Sequence, residues 1–152
     1  MTYKNGAMSI VTRGNKILMV RMYKGGKHFH AIPGGGIEEG ETPEQAVIRE
    51  LWEECSVHGE IIMKTCQYPN IRDTSKSIHV FHVDIGDQTP MLGANLAEYE
   101  KQALLEVKWM ALDEMCERDR AFLWSNGLAT IPQFFDELVS WGEDISYPSK
   151  GE

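Results

Sequence analysis

Cysteine, basic charge and long apolar runs are all in short supply, and each shortage removes a class of protein. The three cysteines, Cys55, Cys66 and Cys116, are odd in number and none sits in a C-x-x-C pair. Neither a disulfide framework nor a zinc ribbon is therefore indicated, and a reducing, cytoplasmic setting is expected. Fifteen Lys and Arg face twenty-three Asp and Glu, a formal net charge of −8. That balance argues against a protein that wraps duplex nucleic acid or lies on a membrane, because both depend on cations meeting phosphates. It leaves room for a small anionic ligand bridged by a divalent cation. The longest strongly apolar run near the start, Ile17-Leu18-Met19-Val20, is far too short to span a bilayer, and the residues before it lack the apolar stretch of a signal peptide. No repeat, low-complexity block or Gly/Ser/Pro-rich linker divides the chain. The 152 residues, 42% hydrophobic and 25% charged, suit one soluble domain over residues 1–143, with a flexible tail over 144–152.

Residues 7–12 and 16–22 are β-branched and apolar, and Arg13-Gly14-Asn15 between them has the chemistry of a hairpin turn. A short segment HFHAIP leads into Gly34-Gly35-Gly36, a run expected to form a structured loop because helix and central-strand interiors reject glycine. Thr42-Pro43-Glu44-Gln45 predicts a helix start: Thr42 as N-cap, Pro43 at the first helical position, and Gln45 closing a capping box. That helix runs to about Cys55. Residues 60–67, 77–85 and 104–110 have strand composition, and helices are expected around 113–123 and 131–141, the second carrying Ile131, Phe134, Phe135, Leu138 and Trp141 at helical spacing. A mixed α/β or α+β domain accounts for this order.

Steps of about 100° along residues 44–55 place Glu50, Glu53 and Glu54 in one sector, with Ile48, Leu51, Trp52 and Cys55 opposite. The apolar side is expected to be the buried one. Residues three and four apart have Cβ atoms about 5–6 Å from each other, so three carboxylates converge and repel. One resolution is a solvated acidic face. Another is a hard divalent cation such as Mg²⁺, which takes carboxylate oxygens and leaves positions for water and phosphates. The glycine run and Glu38, Glu39 and Glu41 lead directly into this helix, and glycine permits close backbone approach to a ligand.

From Gly35 to Val57 the sequence GGIEEGETPEQAVIRELWEECSV resembles the Nudix box, G-x5-E-x7-R-E-U-x-E-E-x-G-U. Gly35, Glu41, Arg49, Glu50, Leu51, Glu53, Glu54 and Val57 match in spacing. Ser56 stands where the family has glycine, which either lengthens the helix or strains its exit by about 1–2 kcal/mol. HAIPGGGIEEGE before the box and Glu106–Glu114 after it are similar to the family's flanking segments. The resemblance implies a Nudix-type α/β/α sandwich with a mixed β-sheet, and a MutT-like hydrolase that cleaves a diphosphate linkage in a nucleoside diphosphate linked to another moiety, using Mg²⁺ or Mn²⁺.

By position, the resemblance makes Glu50 and Glu54 metal ligands and Glu53 either a third ligand or the base that activates water. Glu50 serves as base in some relatives, and a later-loop glutamate in others, for which Glu98 and Glu100 are candidates here. The carbonyl of Gly34 matches a position that often ligates metal. Gly35, Glu41 and Arg49 are structural within the box, Arg49 pairing with Glu53 or with Glu41. Arg21, at the end of the second strand, is a candidate phosphate contact or a surface cation. His28 and His30 alternate about Phe29 and read as a polar strand face rather than a zinc site. Tyr68 and Tyr99 could stack on a base. Many relatives are homodimers, which allows a homodimer. The alternative is a nucleotide-sensing module on the same fold, although such modules usually lose a box glutamate and all three are present. No basic or arginine-rich segment supports RNA decapping.

Overall fold

The structure, a computed structural model, describes residues 3–140 other than 95 and 97, and only the backbone of residue 99. Among these residues seven strands and four helices follow one another: β1 (Gly6–Arg13), β2 (Lys16–Lys24), β3 (Lys27–Ala31), β4 (Gly34–Gly36), α1 (Pro43–Cys55), β5 (Glu60–Asn70), β6 (Asp73–Asp84), α2 (Glu98–Ala103), β7 (Leu104–Ala111), α3 (Glu117–Ser125) and α4 (Pro132–Ser140). The strands form one mixed sheet in the order β3-β2-β1-β6-β5, with β4 attached to β1 and β7 to β2. Its parallel pair is β1 with β6, registered from Gly6 opposite Ile78 to Val11 opposite Val83.

Alternation along the strands sorts the core into two layers, because successive side chains point to opposite faces. Ala7, Val11, Leu18 and Val20 pack with Leu51 and Cys55 of α1 on one face. Ile10, Ile17 and Met19 pack with Leu123 of α3 and Phe134 of α4 on the other. This is the expected α/β/α sandwich, with α1 alone on its own side among the long helices.

Several expectations change in detail. Gly34–Gly36 is a short strand rather than a loop, antiparallel to the start of β1, where glycine is tolerated because the strand lies outside the main sheet path. A short helix, α2, occupies the polar segment before β7, for which no element was expected. The helix expected near 113–123 begins later, at Glu117, after a 3₁₀ turn over Leu112–Glu114. Ile131, just before α4, and Phe134 within it are buried while Phe135 and Leu138 remain exposed; Trp141 and the tail 144–152 lie outside the described residues. Tyr68 hydrogen-bonds through its hydroxyl to Asn126 Oδ1 at 2.7 Å, which ties β5 to the end of α3 and gives this ring a structural role. No helix among the described residues is long and apolar enough to cross a membrane.

Of the two expected effects of Ser56, the strained exit is the one observed. Ser56 adopts φ 59° and ψ 33°, ends α1, and donates its N–H to the Trp52 carbonyl. No other non-glycine residue among those described has positive φ. Ser56→Gly should stabilise the fold by about 1 kcal/mol, a rise in Tm of about 2–4 °C, whereas a β-branched Ser56→Val should lower it. Thermal melting of the three proteins checks this.

Candidate active site

Helix α1 is set in register by its first turn. Gln45 donates its backbone N–H to Thr42 Oγ1 at 3.1 Å, and Thr42 donates its own to Gln45 Oε1 at 3.0 Å. From that start the buried positions are Ala46, Val47, Glu50, Leu51, Glu54 and Cys55. The inward stripe is therefore part apolar and part carboxylate. Polarity alone puts the buried face opposite the glutamates, with Trp52 on it. Instead, Trp52 is 48% exposed and stacks on His58 with ring centroids 4.3 Å apart. The stripe is rotated toward the carboxylates because they have a surface to press against.

That surface is β4. A Cβ on Gly35 would lie 2.5 Å from Glu50 Oε1, and one on Gly34 would lie 2.5 Å from the Ala7 carbonyl oxygen. Any side chain at either position would separate the strand from the helix or from β1. Gly34 also donates its N–H to Glu54 Oε1 at 2.7 Å. The close approach that glycine permits here is to the protein's own carboxylates.

Arg49 organises the entrance. Its Nε and Nη2 grip both oxygens of Glu41 at 2.7 and 2.9 Å, the fork geometry that arginine makes with a carboxylate. Nη2 also donates to the Gly36 carbonyl at 3.0 Å, and Nη1 reaches Glu50 Oε1 at 3.1 Å and Glu53 Oε2 at 3.2 Å. Both pairings expected for Arg49 are present together. The Arg49 hydrogen bonds hold the Glu41 carboxyl below its ordinary pKa.

Glu50 and Glu54 are joined by Glu100 from α2. Oxygens of these three carboxylates all lie within 4.8 Å of one another. Burial raises the Glu50 pKa against the pull of Arg49. Burial pushes that of Glu54 up to about 8, opposed by the Gly34 N–H and reinforced by Glu50, Glu100 and Glu53. The trio borders a cavity of about 630 Å³ that runs past Gly34, Gly35 and Gly36 to Met22, Tyr23 and Lys24. Two oxygens bound to one Mg²⁺ at about 2.1 Å can be no more than about 4.2 Å apart, so small shifts would let the trio share an ion. An all-oxygen, anionic donor set also suits that hard cation.

The remaining candidates fall elsewhere. Glu53 is half-exposed beside Arg49, outside the trio. Glu98 faces solvent and lies 3.5 Å from Lys101. Arg21 does not border the cavity: it pairs with Glu106 at 3.2 Å and reaches His28 Nδ1 at 3.3 Å. His30 lies against Asp119 at 3.3 Å, so the two histidines of β3 serve separate contacts. Tyr23 and Lys24 border the cavity without being sequence candidates; alternation along β2 is a signal for Lys24, which shares a face with Leu18, Val20 and Met22.

A family model described as "NUDIX domain" matches residues 2–130. An RNA pyrophosphohydrolase of Tolumonas auensis is 46% identical over 50 residues, 33% of this chain and 28% of the relative. The chain thus aligns with less than a third of the length of such curated relatives. A NUDIX hydrolase from Nitrosomonas europaea superposes with a TM-score of 0.62 at 19% identity, covering 98% of this chain and 78% of the other. A C. elegans Ap4A hydrolase in a binary complex gives a TM-score of 0.59 at 20% identity, covering 90% and 99%. These structural likenesses establish the fold.

The Glu54 environment has a pH consequence. Between the ordinary carboxylate pKa, 4.5, and about 8, the unfolded chain ionises Glu54 while the folded one keeps its proton. The folded state then binds more protons, and Glu54's contribution to stability falls as pH rises through that window. Glu50 adds the same sign, whereas His79 and His82, whose pKa values burial lowers, add the opposite one. In chelator, the Tm of Glu54→Gln minus that of wild type should therefore grow by several degrees from pH 5 to pH 8, as thermal melting would show.

Proposed function

The chain belongs to the NUDIX family, and from that footing we propose that it hydrolyses a diphosphate linkage in a small nucleotide-type substrate with the help of a divalent cation. The observation that carries this reading is the convergence of Glu50, Glu54 and Glu100 at the floor of a cavity large enough for a nucleotide. Three carboxylates from α1 and α2 repel one another as they ionise in so small a space, and an anionic substrate facing them bare would be repelled too. Bound Mg²⁺ or Mn²⁺ would supply the positive charge that reverses this, polarise phosphoryl oxygens and ease the ionisation of water.

In this reading Glu50, Glu54 and the Gly34 carbonyl hold the cation, and Glu53 contributes from the solvent side of the helix. Arg49 orients Glu50 and Glu53 through the contacts it makes to both, while its grip on Glu41 anchors the guanidinium. Glu100 takes the proton from the water that attacks phosphorus in line with the leaving group. It comes from a different element from the helix glutamates, and it is less buried than either Glu50 or Glu54, so it can exchange that proton with solvent. The relatives named for RNA and Ap4A substrates support pyrophosphate-bond chemistry as a class.

A pooled hydrolysis assay tests the proposal: nucleoside triphosphates, ADP-ribose, nucleotide sugars, NADH and dinucleoside polyphosphates, with Mg²⁺ or chelator, followed by mass spectrometry. Cleavage at a diphosphate linkage should need Mg²⁺ and fall by about 10²-fold or more in Glu54→Gln. Glu100→Gln should lower kcat by about 10²–10⁴-fold with little change in KM, the usual range for a lost general base. Glu53→Gln should cost less than either. Binding of a nucleotide without turnover would favour the sensing module instead.

A further inference from the structure

The β2–β3 hairpin brings unpaired positive charge to the rim of an acidic cavity. Leu18, Val20 and Met22 point toward α1, and the next residue of that parity, Lys24, lines the cavity that holds Glu50, Glu54 and Glu100. Directly opposite Lys24 in the β2–β3 ladder stands Lys27, beside the tight Gly25-Gly26 turn. Like charges facing each other across a strand pair are unfavourable. No carboxylate among the described residues lies within 4 Å of either ammonium, in a chain whose acids outnumber its bases by 23 to 15. Arg21, by contrast, has opposite parity and is paired to Glu106. Glu106 of β7 thus neutralises Arg21, which does not border the cavity, while Lys24, which does, has no carboxylate partner among the described residues.

We propose that Lys24, reinforced by Lys27, is an anion subsite that selects substrates carrying a phosphate beyond the diphosphate that is cleaved. The inference rests on the hydrolase reading above and deepens it by naming the substrate class. A diphosphate held at the carboxylate end already has its charge countered there, so a cation at the rim adds affinity only for a further anionic group. Triphosphate esters have that group, whereas nucleotide sugars end in a neutral one. A lysine serves as a point charge for such a phosphate.

The test compares kcat/KM for ATP and for ADP-ribose in the wild type, Lys24→Gln, Lys24→Arg and Lys27→Gln, all with Mg²⁺. The wild type should favour ATP. Lys24→Gln should lower the ATP to ADP-ribose ratio about tenfold or more, the scale of a lost charge-assisted hydrogen bond; Lys27→Gln should lower it less, and Lys24→Arg should restore most of it. A 5′-triphosphorylated trinucleotide run alongside shows whether the free nucleotide or a chain end is the better source of the triphosphate. A ratio unmoved by Lys24→Gln, or a wild type that cleaves only ADP-ribose, overturns the subsite and leaves the hydrolase reading standing. If the wild type cleaves nothing, the hydrolase reading fails. Calorimetric binding of tripolyphosphate and of pyrophosphate with Mg²⁺ then decides the subsite: weaker tripolyphosphate binding alone in Lys24→Gln supports it, and equal losses overturn it.

Discussion

Two buried carboxylates pressed against a strand that has no side chains are the constraint on which the site depends. Glu50 can turn inward only because Gly35 has no Cβ in its way, and Glu54 is held there by the N–H of Gly34, whose lack of a Cβ lets β4 lie close to β1. The glycine strand in turn can lie there only because it pairs with β1, which crosses the middle of the sheet. Arg49 then ties the helix to both ends of the entry loop, gripping Glu41 with one edge and the Gly36 carbonyl with another. Remove the guanidinium and Glu41, Glu50 and Glu53 lose a shared counter-charge in a partly dry place, where breaking a paired charge costs more than the pair contributed.

The sheet divides labour between its faces. On the side of α3 and α4, Ile10, Ile17 and Met19 meet an apolar layer, and the buried polar groups there, such as Thr65 and Asn126, are spent on hydrogen bonds that join β5 to the end of α3. On the α1 side the apolar layer stops at the edge of the cavity and acids take over. Their burial is unfavourable for the isolated protein, as the raised pKa values of Glu50 and Glu54 express. Buried carboxylates with raised pKa values gathered at the edge of a cavity point to a role there.

Local features were legible in the sequence, and lateral ones were not. The capping box of Thr42 and Gln45 is read within four residues and is present as expected. Likewise, the strand composition of 77–85 is met by β6, which puts Val80 on one face and Phe81 and Val83 on the other. Trp52 was misassigned because helical periodicity ranks faces by polarity, whereas which face is buried depends on what the helix meets. Nothing along the chain shows that a glycine strand arrives beside Glu50. The same limit separates Glu100 from Glu98: composition treats them alike, and only the placement of α2 brings one toward Glu50 and Glu54. Arg21 stands out in the sequence as the arginine at a strand end, yet it is Tyr23 and Lys24, next to the hairpin turn, that border the cavity.

That Glu50 and Glu54 are a cation site, their repulsion tolerated for function, is tested most directly by thermal melting at pH 8 with Mg²⁺ or chelator. Wild type should gain stability from Mg²⁺, because an ion that binds only the folded state shifts the equilibrium toward it. In chelator, Glu54→Gln should melt at or above the wild-type temperature and gain little from the ion. Equal gains from Mg²⁺ in both proteins, or a Glu54→Gln variant that melts well below wild type in chelator, would contradict it.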